Sequence, residues 1–126
     1  MLAEVIEGIR SPAEADFRNL IRRSGLPVPL FNADLFVGGQ FLARPDAWWP
    51  DAGVVSEVDS REWHLSPEDW QQTMLRHDRL VAAGIKPLHF TPRQIRDEPR
   101  EVVRLIAAAL QSGRPVHGIT WQRAAA

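Results

Sequence analysis

The sequence predicts an α/β domain: a helix, a three-strand antiparallel meander, a helix, a strand and a last helix, with a mixed sheet flanked by helices. Three observations predict it. Ser-Pro opens two amphipathic stretches, at residues 11 and 66. Turn residues cut 30–59 into strand-length runs. One more apolar run, 85–90, follows the second helical stretch, so the chain returns to the sheet by a crossover.

The elements follow in order. Ser11-Pro12-Ala13-Glu14 is a helix start, with serine at the N-cap, proline at N1 and glutamate at N3. Ala13, Phe17, Leu20 and Ile21 then share one helical face, and Gly25, Pro27 and Pro29 end the helix. Residues 30–37 read as a strand, Gly38-Gly39 as its turn, and 40–49 as a second strand. Pro50-Asp51-Ala52-Gly53 makes the next turn, and 54–59 the third strand. Ser66-Pro67-Glu68-Asp69 starts the second helix, with a stripe of Trp70, Met74, His77 and Val81 beside Leu80, and Gly84 closes it. Residues 85–90 form a strand in which Pro87 points to an edge or a bulge. Thr91-Pro92 caps a short turn. A helix over 99–111 turns Val102, Val103, Ile106 and Leu110 inward, with Gly113 as its C′ residue. Residues 115–121 suggest a final short strand.

The length, 126 residues, suits one domain with a single core. Residues 1–10 and 122–126 are expected to be loosely ordered. No apolar run is long enough to span a membrane, and the N-terminus carries acids where a secretory signal carries bases, so a cytoplasmic protein is expected. The chain has no cysteine, which removes disulfides, thiol nucleophiles and thiolate-bound zinc together. A metal here would take oxygen and imidazole ligands, which favours Mg2+ or Mn2+. The net charge of −1 offers no global field for nucleic acid. All the basic residues but Lys86 are arginine, whose planar fork suits phosphate, although genome composition explains the same bias.

The 50–53 turn carries the chemistry. Residues symmetric about Asp51/Ala52 would pair Trp49 with Val54, Asp46 with Glu57, and Arg44 with Asp59. Two facing carboxylates on a sheet repel unless a cation, a proton or hydrogen-bond donors compensate them. A divalent cation satisfies both and supplies a Lewis acid or an activated water. Two ordinary strand carboxylates on a solvated face are the plainer alternative. His64, seven residues after Glu57, could act on a water near the cation or be a locally bonded loop histidine.

Pro45-Asp46, ten residues, then Glu57-Val58-Asp59 resembles the PD-(D/E)XK nuclease signature. The stretch from Ser11 to Leu110 is similar to a bacterial family of small domains related to very-short-patch-repair endonucleases, often found at the C-terminus of proteins described as AbiE-type antitoxins. The matching pieces are Ser-Pro-Ala-Glu (11–14), Gly-Leu-Pro-Val-Pro (25–29), Arg-Pro-Asp-Ala-Trp-Trp-Pro (44–50), Glu-Val-Asp-Ser-Arg-Glu-Trp-His (57–64), Arg-His-Asp-Arg-Leu (76–80) and Leu-His-Phe-Thr-Pro (88–92). The resemblance implies a restriction-endonuclease-like core and Mg2+- or Mn2+-dependent hydrolysis of DNA. It implies Asp46 and Glu57 as metal ligands, Glu14 completing the site from the first helix, His64 beside the attacking water and Arg76 against phosphate. It also admits a catalytically weak module that binds nucleic acid or protein, or a regulatory part in a toxin–antitoxin system. One departure matters: Asp59 stands where the superfamily has a lysine, and an aspartate cannot stabilise developing negative charge.

Plainer roles compete for several of these residues. Glu14 can reach back to the Ser11 amide as a capping-box residue. Asp59 can pair with Arg44 across the strands. His77 reads as a core-edge histidine, and His89 as a strand residue that could line the site. Trp48, Trp49 and Trp63 read as packing residues before base-stacking ones. Arg93, Arg96, Arg100 and Arg104 alternate with acids as a solvated face.

Overall fold

The first helix begins where its capping chemistry dictates. In this computed structural model, which describes residues 11–59 and 66–123, α1 (Pro12–Ser24) is capped by the Ser11 hydroxyl, which accepts from the Glu14 amide at 3.2 Å. The chain then forms β1 (Leu30–Phe31), β2 (Ala33–Val37), β3 (Gln40–Ala43), β4 (Ala47–Trp49) and β5 (Val54–Val58). Next come α2 (Pro67–Ala82), β6 (Lys86–Phe90), α3 (Pro92–Asp97), α4 (Pro99–Ser112) and β7 (Ile119–Arg123). The architecture is α/β, with a mixed sheet flanked by helices.

The strands divide between two sheets, where the sequence suggested one meander. Four strands lie in the order β1-β4-β5-β6, and three in the order β3-β2-β7. Each of the first two expected strands breaks in two. Asn32, at φ 54, interrupts 30–37, and the chain leaves the ladder over 44–46 between β3 and β4. Left-handed backbone at a non-glycine residue breaks a strand because no extended neighbour can continue the ladder through it. The final strand is shorter than the expected 115–121 and lies later in the chain, at Ile119–Arg123. β7 runs to Arg123 and pairs antiparallel along β2, so Gln122 and Arg123 are ordered in the sheet.

The β4–β5 hairpin keeps the expected register: Trp49 opposite Val54, Trp48 opposite Val55, Ala47 opposite Ser56. β6 then pairs parallel to β5 after the α2 crossover, setting Glu57 beside His89 and Val58 beside Phe90. Both faces of this central sheet are covered. Ala47, Trp49, Val54 and Phe90 pack against Phe17, Leu20 and Ile21 of α1, Ile95 of α3, and Val102 and Ile106 of α4. On the opposite face, Trp48 and Val55 pack with Leu80 of α2, Ile85, and the second sheet's Ala33, Leu35, Leu42 and Ile119. Side chains alternate along a strand, so neighbouring tryptophans serve opposite cores.

Helix α2 differs from its expected packing. Leu80 is its one buried residue among those described, whereas Trp70, Met74 and Val81 of the expected inward stripe are exposed. Pro87 sits within β6, which is an edge strand of its sheet. Gly113 closes α4 with extended rather than left-handed backbone. A glycine is needed there because a Cβ would run into the Ala52 carbonyl oxygen of the β4–β5 turn.

Candidate functional site

Asp46 stands one residue before β4, where the chain passes from one sheet to the other. Its backbone carbonyl accepts from the Asn32 amide, and its carboxylate Oδ2 accepts from the Val58 amide at 2.6 Å. The Glu14 carboxyl hydrogen-bonds the Asp46 carboxyl. A second carboxyl this close makes ionising Asp46 more costly. Burial, opposed by the Val58 amide and reinforced by Glu14 and Glu57, pushes Asp46 up to about 7. Of the two uses weighed for the Glu14 side chain, the reach back to the Ser11 amide is not among the bonds of this helix cap, and the side chain lies beside Asp46 instead. The Glu14 backbone amide donates to the Ser11 hydroxyl.

Glu57, on β5, is buried, with 7% of its side chain exposed. Burial raises its pKa, against the pull of Arg76 and with Asp59 adding to the rise. Arg76 of α2 brings Nη2 to 3.1 Å from Glu57 Oε2. The angles of that contact make no hydrogen bond, so the solvent-shielded Oε2 and Arg76 Nε are both left without one. His89 Nδ1 lies 3.6 Å from the same oxygen. Its other ring nitrogen, Nε2, is 3.1 Å from His77 Nδ1, and the two rings meet tilted at 37° with centroids 5.2 Å apart. Burial lowers the His89 pKa, and His77 and Arg76 lower it further.

The structure thus brings Glu14, Asp46, Glu57 and Arg76 to one end of the hairpin. His64 lies outside the described residues, and so does Trp63. The expected Arg44–Asp59 ion pair is not formed. Arg44 makes a two-pronged bond to Asp34 on β2, at 2.6 and 3.2 Å, because the break at 44–46 directs its side chain to the second sheet. Trp48 and Trp49 are buried in the two cores, and Trp49 Nε1 donates to the Pro27 carbonyl. His77, read as a core-edge residue, belongs to the polar cluster with His89. The parallel β5–β6 register that seats His89 beside Glu57 spans a whole helical crossover, and no local pattern encodes it.

The donor set is oxygen and imidazole, which suits a hard divalent cation. An orphaned, buried Glu57 oxygen and the buried Asp46 carboxyl are both groups that a cation would satisfy. In this conformation, however, no three His, Asp or Glu side chains among the described residues are grouped to hold a metal ion together. The Val58 amide occupies one Asp46 oxygen, and the Arg76 guanidinium faces the free oxygen of Glu57.

Comparison with known proteins adds relatives but no function. The chain is 28% identical over 104 residues to uncharacterized proteins from two Mycobacterium tuberculosis strains. The match covers 82% of this chain, which spans 38% of the length of those curated relatives. No family profile matches the chain, and no solved structure matches it. No helix among the described residues is long and apolar enough to cross a membrane.

Proposed function

We propose that this domain is a metal-dependent nuclease of the PD-(D/E)XK kind that hydrolyses phosphodiester bonds in DNA. The observation that carries the reading is the convergence of Glu14, Asp46 and Glu57, with Asp46 held near pH 7 by burial and by the other two acids. A folded chain retains such a cluster against its electrostatic cost when the cluster has a use. Asp46 and Glu57 would hold Mg2+ or Mn2+, with Glu14 as their neighbour. The cation, when bound, would supply a Lewis acid and an acidified water. Arg76 would neutralise a substrate phosphate, and His64 would orient the attacking water.

The experiment is direct. The purified protein is incubated with plasmid DNA and Mg2+ or Mn2+. Cleavage is expected, along with its loss in Asp46→Ala and Glu57→Ala; cleavage that survives both substitutions sinks the assignment. A second reading, a nuclease-fold module that binds nucleic acid or a protein partner, including one within a toxin–antitoxin system, draws on one observation. The acids are not grouped as a three-ligand metal site in this conformation. Calorimetry separates the two readings, because absence of Mg2+ and Mn2+ binding favours the module.

A further inference from the structure

Arg76 faces the buried Glu57 carboxylate by charge alone. Nη2 is 3.1 Å from Oε2, yet Oε2 accepts no hydrogen bond and the shielded Nε donates none. A guanidinium normally satisfies a carboxylate through two parallel hydrogen bonds, so this contact is an incomplete one. The partners also differ in freedom. The Glu57 side chain is 7% exposed and anchored in the sheet, while the Arg76 side chain is 40% exposed on a helix held by few buried residues. On the other side of Oε2 stands His89, with Nδ1 3.6 Å away.

We propose that Arg76 exchanges between Glu57 and a phosphate of bound DNA, so that phosphate binding frees Glu57 for a divalent cation and the two ligands bind cooperatively. The inference rests on Asp46 and Glu57 being cation ligands. A phosphate offers the guanidinium the two-oxygen geometry that Glu57 does not. A buried carboxylate stripped of its counter-charge is strongly disfavoured, and the cation replaces that charge. Linkage makes the effect reciprocal: each ligand tightens the other by the same factor. Without DNA, the guanidinium beside Oε2 repels an arriving cation.

The test is calorimetric titration of Mn2+ at pH 8, with and without a short phosphorothioate DNA duplex, after subtracting Mn2+ uptake by the duplex alone. Wild-type protein is expected to bind Mn2+ about tenfold more tightly with the duplex. Arg76→Gln is expected to bind Mn2+ more tightly than wild type without duplex and to lose the dependence on it. The variant also separates arginine exchange from simple bridging of metal to phosphate, which would survive the substitution. Equal Mn2+ affinity with and without duplex in wild type overturns the exchange, as does undiminished coupling in a folded Arg76→Gln protein; either leaves the cation reading standing. If Arg76→Gln does not fold, Arg76→Lys, which keeps the charge but not the two-pronged fork, takes its place, and coupling undiminished from wild type overturns the exchange. Absence of Mn2+ binding in both conditions, or binding unchanged in Asp46→Ala and Glu57→Ala, overturns the cation reading and the exchange with it.

Discussion

Asp46 sets the acid–base behaviour of the site. Its folded pKa, about 7, lies well above the value of an exposed aspartate. Between about pH 4 and pH 7 the folded chain therefore binds more protons at this group than the unfolded chain does. Stability falls as pH rises through that window and levels off above it, because ionising the buried carboxyl beside Glu14 and Glu57 is disfavoured. Asp46→Asn removes the ionisation but retains an acceptor for the Val58 amide. We expect it to be more stable than wild type at pH 8, by on the order of 3 kcal/mol, and about equal to it at pH 4. Urea denaturation at the two pH values measures this, and equal stabilities at pH 8 would refute it. At Glu57, Glu57→Gln leaves Arg76 facing a neutral amide. The substitution should abolish cation binding while changing stability by less than the loss of a whole buried side chain.

At the scale of elements, the site depends on how α2 docks. Leu80 is the one buried residue of that helix among those described, and Arg76 and His77 sit one turn before it. Leu80→Ala should destabilise the protein by about 2–5 kcal/mol. It should also loosen the guanidinium from Glu57, which would register as a change in Mn2+ affinity even where the variant remains folded. The β4–β5 turn is the other sensitive element. Gly53 has φ 66, and a Cβ there would meet the Arg114 carbonyl oxygen and a Val116 methyl, both at 2.6 Å. Gly53→Ala combines a strained backbone with a clash against the segment after α4. Thermal denaturation should show a loss of roughly 1–3 kcal/mol; an unchanged midpoint would mean the turn tolerates a side chain. Asp46 and Glu57 flank this hairpin, so the proposed cleavage should fall with stability in this variant.

For the whole molecule, the proposed cation would compete with protons for the same carboxyls. A cation bound at Asp46 and Glu57 stabilises the folded state by mass action, by about 2.7 kcal/mol at a hundred times its dissociation constant. Because Asp46 must lose its proton first, the rise in melting temperature on adding Mn2+ should be small at pH 6 and larger at pH 8. The rise should vanish in Asp46→Asn. A shift independent of pH would place the cation elsewhere. The two cores on either side of the central sheet give the site its rigidity: Trp49 and Val54 pack with α1, α3 and α4, while Trp48 and Val55 pack with the second sheet and α2.

By itself the sequence determined the local features, because those depend on residues close together along the chain. Ser11, Ser66 and Thr91 cap their helices as their spacing required. The 50–53 turn set Trp49 opposite Val54, which brought Asp46 and Glu57 to the same end of the hairpin. The tertiary structure alone decided what depends on distant segments. It split the meander into two sheets, sent Arg44 to Asp34 instead of Asp59, and exposed the Trp70 stripe. It also set His89 beside Glu57 through a parallel register reached across α2, and brought His77 against His89. Periodicity reports which face of an element is apolar, but not which neighbour covers it. The pairing of distant strands and the docking of α2 are settled by the fit of two whole cores, to which no single motif corresponds.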